Sequence, residues 1–305
     1  MKNNKKLFLA WIIFLTIAFF FIIAVEVYHN FQSERMSNYQ YRILISKDSI
    51  IEIDPPNPSV SSPEEKKVDP DAKFYEQTKY GNLPKIASKG ACVFDEYSAY
   101  SEISAKKELR VAILIGDGKA NLNLKLNGQR VTFILPHYID QLESVAKAIR
   151  KSGNEFFIQI PTQSSIPANK KESVSPFLAN ANLNDTLEKL FYLIGSTKYA
   201  LGIASVSPTL LTKSKKDITA IADALSQRGL AFLDVEKSND LLKGISEKNG
   251  LIYINATNKF EANDFDISKL KDRDVIIIRL EQLESLMKIL PSDWILTPVS
   301  ASVRR

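Results

Sequence analysis

Cysteine and histidine are scarce in this chain: 305 residues hold one cysteine, Cys92, and two histidines, His29 and His137. A single cysteine excludes an intrachain disulfide, a zinc ribbon and a Cys-x-x-Cys redox motif, so the fold must stand on packing. It is compatible with an oxidising compartment without demonstrating one. His29 lies just after a long apolar run, far from His137, so the usual catalytic zinc set of three protein ligands, most often with two or more imidazoles, cannot be assembled. An excess of one charge sign is missing as well. Lys and Arg number 40 against 35 Asp and Glu, a formal charge of +5, and three of those lysines precede residue 7. Such a balance leaves no electrostatic footprint for nucleic acid. No Gly-x-Ser-x-Gly is present, which argues against a serine hydrolase of that type. Gly116-Asp117-Gly118-Lys119 has neither the glycine spacing nor the Ser or Thr after lysine that a phosphate loop needs.

What the chain does have is one long apolar run. Residues 7–25 carry no charge, and about 19 residues at 1.5 Å rise each are enough to cross a hydrocarbon core. Lys2, Lys5 and Lys6 precede the run and Glu26 follows it, so the positive-inside bias predicts a single-pass protein of the cytoplasmic (inner) membrane with its C-terminal part periplasmic. Trp11 and Tyr28 lie near the two ends, where amphipathic rings favour the headgroup region. The alternative is a cleaved signal peptide, but those have shorter apolar regions, and Ile22-Ile23-Ala24 is a poor cleavage site. The expected organisation is a cytoplasmic tail over 1–6, an anchor over 7–25, a stalk over 26–82 and a folded domain over 83–305. The stalk reading rests on Asp54-Pro55-Pro56-Asn57-Pro58 and the proline-, serine- and charge-rich stretch after it, which has too little apolar surface to offset its ordering entropy.

Beyond residue 108 short apolar runs alternate with amphipathic segments. Strands are expected over 110–115, 130–135, 155–160, 200–203, 230–233, 251–254, 275–278 and 294–297. Helices are expected over 140–152, 184–194, 216–228, 240–249 and 282–290. In the third of these, Ile218, Ile221, Ala222 and Leu225 fall at i, i+3, i+4 and i+7, one apolar stripe. Gly153, Gly229 and Gly250 each follow a helix and precede a strand, as a left-handed C′ position would. Repeated strand-helix-glycine-strand units force parallel pairing, so the fold class is α/β, either a barrel or an open parallel sheet.

In parallel α/β folds ligands meet the carboxyl ends of the strands. Asp117 and Asp234 are the acids expected there, each suited to bind a cation or a sugar hydroxyl, or else to cap a helix or bond loop amides. His137, after Pro136, is either a ligand or base, or an ordinary rim histidine. Ser205 and Ser207 follow the strand near residue 203 and have no histidine base in a recognisable motif.

These strand ends also resemble those of a known family, from about Leu83 to Val303. Leu83-Pro-Lys-Ile-Ala-Ser88 looks like the leader before the domain in alphaproteobacterial members. Arg110-Val-Ala-Ile-Leu-Ile-Gly-Asp-Gly118, Val131-Thr-Phe-Ile-Leu-Pro136, Gly153-Asn-Glu-Phe-Phe-Ile-Gln-Ile-Pro161 and Leu201-Gly-Ile-Ala-Ser-Val-Ser-Pro-Thr209 follow in order. Arg228-Gly-Leu-Ala-Phe-Leu-Asp234 and the closing Leu296-Thr-Pro-Val-Ser300 complete the set. Together they resemble the divergent polysaccharide deacetylases, a branch of the NodB-like carbohydrate esterases. The resemblance implies a distorted (β/α) barrel that acts on, or binds, an N-acetylated envelope polysaccharide such as peptidoglycan.

It also implies a set of departures. Where active-looking members have an acid pair on the first strand, this chain has Gly116 and Asp117. The strand-four histidine position is Val206, the strand-three His/Gln is Gln159, and Met-Glu-Pro is replaced by Thr162-Gln163-Ser164. Gly-His-Pro-His becomes Arg279-Leu280-Glu281-Gln282. A site reduced to Asp117 and Asp234 has too few ligands to hold zinc. The expectation is therefore a catalytically degenerate domain that needs no cofactor or metal and binds glycan or an envelope partner through groups such as Gln159, His137, Ser205 and Ser207. The alternative is an active metal-dependent deacetylase built on Asp117, Asp234 and His137.

Overall fold

The computed structural model describes residues 70–303, apart from 100–105, 116–125, 127, 140, 162–176, 178, 180, 207–210, 212, 236–239 and 261–265. The chain divides into two units, Met1–Glu65 and Lys66–Arg305. The expected anchor over 7–25 and most of the expected stalk lie outside the described residues. Among the described residues no helix is long and apolar enough to cross a membrane.

The second unit opens with a 3-10 turn at Pro70–Phe74 and an antiparallel hairpin of β1 (Tyr75–Thr78) and β2 (Gly81–Pro84). A short helix, α1 (Val93–Tyr97), follows. The remaining strands are β3 (Lys107–Leu114), β4 (Thr132–Pro136), β5 (Glu155–Gln159), β6 (Gly202–Ser205), β7 (Ala231–Asp234), β8 (Ile252–Asn255), β9 (Asn258–Lys259), β10 (Val275–Arg279) and β11 (Trp294–Thr297). Between them run α2 (Leu142–Lys151), α3 (Leu183–Gly195), α4 (Lys215–Ser226), α5 (Asp240–Asn249) and α6 (Leu283–Ile289).

β3 to β11 form one sheet in the order 8-7-6-5-4-3-10-9, with β11 added to β3, and every pairing in it is parallel. From β4 to β8 each crossover carries one helix among the described residues, the connection that parallel neighbours require. The strands read as nearly unbroken apolar runs because both faces are covered. Ile113, Ile134, Ile158, Ile203 and Phe232 have no measurable exposure. On α4 the predicted stripe of Ile218, Ile221, Ala222 and Leu225 is fully buried, worth roughly 1.5–3 kcal/mol for each large side chain. Gly153, Gly229 and Gly250 take φ of +78°, +63° and +69° at the ends of α2, α4 and α5, as expected for left-handed C′ positions.

The sheet is curled, and two consecutive residues show how far. β8 and β9 are its two edges, yet only Ala256 and Thr257 join them. The Ala256 amide donates to the Asp234 carbonyl on β7 at 2.8 Å, and the Thr257 amide to the Val275 carbonyl on β10 at 2.7 Å. Neighbouring residues are about 3.8 Å apart at their Cα atoms, so opposite edges of the sheet order come together here, staggered along the strands. This curled parallel sheet fits the expected distorted barrel.

At the amino end, β11 and β4 share one side of β3 in succession. β11 pairs with Lys107 to Arg110, and β4 with Ala112 to Leu114. The turn after β11 therefore tucks under β4 and β5, where Glu155 is completely buried. Its Oε1 accepts from the Thr132 hydroxyl (2.7 Å) and the Ser300 amide (3.1 Å). Oε2 accepts from the Ala99 amide (2.8 Å) and the Ser300 hydroxyl (2.6 Å). The Thr132 hydroxyl in turn accepts from the Val299 amide. Burial pushes the Glu155 carboxyl upward against the downward pull of these donors.

The stalk boundary needs correction. Residues 70–82, expected to end a solvated spacer, include Phe74 and Tyr75, both in the core. The Tyr75 hydroxyl accepts from the Tyr199 amide at 2.7 Å, and Tyr97 donates to Asp71 at 2.6 Å. This segment belongs to the folded unit.

Candidate functional site

Three polar residues end adjacent strands at one level: Ser205 on β6, Asp234 on β7 and Asn255 on β8 are successive cross-strand partners. Partners directly opposite each other project to the same face. Ser205 and Asp234 are both fully buried. Tyr253 lies two residues before Asn255, so it shares that face. Its hydroxyl donates to Asp234 Oδ2 at 3.2 Å and accepts from Asn255 Nδ2 at 3.2 Å. Asn255 Nδ2 also lies 3.5 Å from the Asp234 carbonyl. The result is a chain of amide, phenol and carboxylate across β7 and β8 at the end of the sheet where ligands are expected.

Sequence reasoning placed Ser205 and Asp234 at strand ends, and the structure brings them together. It separates Gln159 from them. Gln159 pairs with Ala204, and Ala204 and Ser205 are successive on β6, so Gln159 projects from the opposite face. Val206, just past Ser205, is a buried aliphatic side chain. Asp117 and Ser207 lie outside the described residues. Tyr253 and Asn255 were missed: in sequence they alternate with Ile252 and Ile254, and only the register shows that their side reaches Asp234.

His137 sits in a tight turn after β4, closed by the Ile139 amide donating to the Pro136 carbonyl at 3.1 Å. Burial of the imidazole pushes its pKa down to about 4, so the ring is neutral at physiological pH. Its Nε2 is buried and has no hydrogen-bond partner among the described residues. The Tyr138 ring meets it edge-on, centroids 5.2 Å apart and planes at 87°.

Gln282, which stands at an imidazole position in the resemblance, and the buried Asn154 both have structural work. Gln282 is buried, and its Oε1 accepts from the Arg279 amide at 2.7 Å, closing the turn that leads into α6. Asn154 accepts from the Val131 amide at 2.9 Å and donates to the Ser152 hydroxyl at 2.9 Å. Among the described residues no three His, Cys, Asp or Glu side chains lie together as a metal-binding group. Among the described residues the side chains hydrogen-bonded at Asp234 include the Tyr253 phenol and the Asn255 amide, groups that are not zinc ligands. Cys92 is buried against Gly229 and hydrogen-bonded to Asp95, and its thiol is pushed up to about 11 chiefly by burial. An inert packing role follows.

Comparison with known proteins sets these features in context. The sequence model described as "Divergent polysaccharide deacetylase" matches residues 117–288, more than half of the chain. An uncharacterized protein from Agrobacterium tumefaciens C58, whose crystal structure is known, is similar in fold with a TM-score of 0.63 and 16% identity. The match covers 73% of this chain and 100% of that one. No curated protein matches the chain.

Proposed function

The chain belongs to the divergent polysaccharide deacetylase family, and from that premise we propose that it is a membrane-anchored envelope protein that binds an N-acetylated polysaccharide without deacetylating it. The observation that carries this reading is the Asn255–Tyr253–Asp234 chain at the carboxyl end of the sheet. Its amide, phenol and carboxylate are hydrogen-bonding groups matched to sugar hydroxyls and an acetamide. They are poor partners for a zinc ion, which needs several thiolate, imidazole or carboxylate ligands. Residues 7–25 would hold the protein in the inner membrane with the domain on the periplasmic side.

The test measures acetate release from N-acetylglucosamine polymers by the full-length protein, with and without zinc. Elemental analysis of the purified protein accompanies it. The expected result is no zinc-dependent release and no stoichiometric metal. Metal-dependent turnover abolished by Asp117→Asn would overturn the reading.

One observation favours the second reading, an active metal-dependent deacetylase. His137 is neutral and has an unengaged Nε2, the state a metal ligand must be in. Loss of turnover and of bound metal together in His137→Ala would establish it.

A further inference from the structure

The two faces of the parallel sheet differ at its carboxyl end. Arg279 on β10 pairs with Leu114 on β3, Leu114 with Ile134 on β4, and Pro136, two residues further along β4, with Gln159 on β5. Paired residues and residues two apart share a face, so Arg279, Leu114, Pro136 and Gln159 project to one side. Thr132 and Glu155 project to that side as well, and they hold the Val299–Ser302 turn. This turn lies against both β3 and β8, which have four other strands between them in the sheet order. A turn can reach both only from inside the curl, so the shared side is the concave one, stoppered at its amino end. At the carboxyl end it is open: Arg279 is exposed and Leu114 and Gln159 are half-buried, while Ile113, Leu135, Ile158 and Ile278 on the other face are buried.

Arg279 also stands apart from the other arginines. Among the described residues Arg110, Arg228 and Arg273 each lie within 3.8 Å of a carboxylate, and Arg130 and Arg150 donate to backbone carbonyls. The Arg279 guanidinium has neither kind of partner among the described residues, and the Gln159 carboxamide has no hydrogen bond among them. An exposed cation needs no partner, but this one closes an apolar strand at the mouth of the curled sheet, where ligands of such folds bind.

We propose that this mouth selects an anionic glycan: Arg279 receives a carboxylate borne by the sugar units of an N-acetylated polysaccharide, and Gln159 hydrogen-bonds the same chain further along. A guanidinium presents a planar fork that meets a carboxylate with two parallel hydrogen bonds. Leu114, beside it, supplies apolar surface for the C–H face of a sugar. β10 and β5 are separated by β3 and β4, on the order of 14 Å along the curved sheet, a span suited to an oligosaccharide. The inference rests on the glycan-binding reading above and adds the charge of the ligand. It does not use the Asp234 chain, which projects to the other face.

Calorimetric titration of the full-length protein in detergent tests this with two probes. One is a tetrasaccharide of alternating N-acetylglucosamine and N-acetylmuramic acid, and the other is the same tetrasaccharide with its carboxylates converted to methyl amides. Wild type is expected to bind the acidic form about tenfold more tightly at low salt, a preference that shrinks as salt is raised. Arg279→Ala binds the two forms equally, and Arg279→Lys keeps part of the preference, because the charge remains and the fork is lost. The melting temperature of Arg279→Ala stays at the wild-type value, since Gln282 is held by the Arg279 backbone amide and not by its side chain. If wild type binds neither form, the functional reading falls and the anionic site falls with it. If wild type binds both forms alike, or Arg279→Ala keeps the wild-type preference, the anionic site is overturned and the functional reading stands.

Discussion

The Ser300 hydroxyl donates to Oε2 of Glu155 at 2.6 Å, joining residues 145 positions apart in the chain. Through it the last turn is fastened to the start of β5, and the same carboxylate also holds Thr132 at the start of β4 and the Ala99 amide. Each of its two oxygens receives two donors, so a carboxamide in that place must turn an NH2 group toward N–H and O–H donors. Glu155→Gln is expected to destabilise the protein on the order of 3 kcal/mol, and Ser300→Ala by roughly 1–2 kcal/mol. Urea unfolding of both variants checks this. A Glu155→Gln midpoint equal to that of wild type would show that the four contacts contribute nothing net.

The hairpin yields a prediction about where the folded unit begins. A chain starting at residue 83 discards Phe74 and Tyr75, which are 0% and 6% exposed, and the contact of Glu76 with Arg228 at 2.9 Å. The two aromatic side chains alone are worth roughly 3 kcal/mol or more. A fragment covering 70–305 should therefore unfold cooperatively and well above one covering 83–305. Equal denaturant midpoints for the two would restore the boundary at residue 83.

Much of the parallel sheet was legible in the sequence because most of its strands carry an apolar run long enough to be buried on both faces, and α2, α4 and α5 each end at a glycine. The Val275–Arg279 and Trp294–Thr297 strands are expected within one residue of where they form. The hairpin was not legible: Tyr75-Glu-Gln-Thr78 is short and half polar, and only its docking on the rest of the unit makes it a strand. Asp234 stood out as a charge closing an apolar strand. The grouping around it did not, since which face Gln159, Tyr253 or Asn255 takes depends on a register that one residue of slip would invert. The role of Glu155 was equally hidden, although both residues of its closest pair lie in blocks quoted for the resemblance, Gly153 to Pro161 and Leu296 to Ser300.

Gly229 provides a local test of packing at the end of α4. Its φ is +63°, and an added Cβ would stand 2.2 Å from the Cβ of Cys92. The first effect costs about 1 kcal/mol in a left-handed position, and the second forces α1 or the turn to move. Gly229→Ala should lose on the order of 2–4 kcal/mol. The double variant with Cys92→Gly should recover the steric part only. Thermal unfolding of the pair measures both, and full recovery would mean that backbone conformation is not the obstacle.

The pH dependence of stability isolates His137. Burial holds this imidazole at about 4 in the folded protein, whereas an unfolded histidine titrates near about 6.5. Between those values the unfolded chain binds the proton and the native protein does not. Stability must therefore rise with pH across that window and fall as the pH drops from about 6.5 toward about 4, flattening below. The slope from this one group reaches about 1.4 kcal/mol per pH unit at its steepest. Ordinary carboxylates titrate in the lower part of the same range, and burial raises the Glu155 carboxyl, so the wild-type profile alone does not assign the effect. His137→Phe removes the group and leaves the carboxylates in place. The wild-type loss between about pH 7 and pH 5 should exceed that of His137→Phe by about 2 kcal/mol. Equal losses in the two proteins would show that the imidazole is protonated alike in the folded and unfolded states, and that its burial does not hold it neutral.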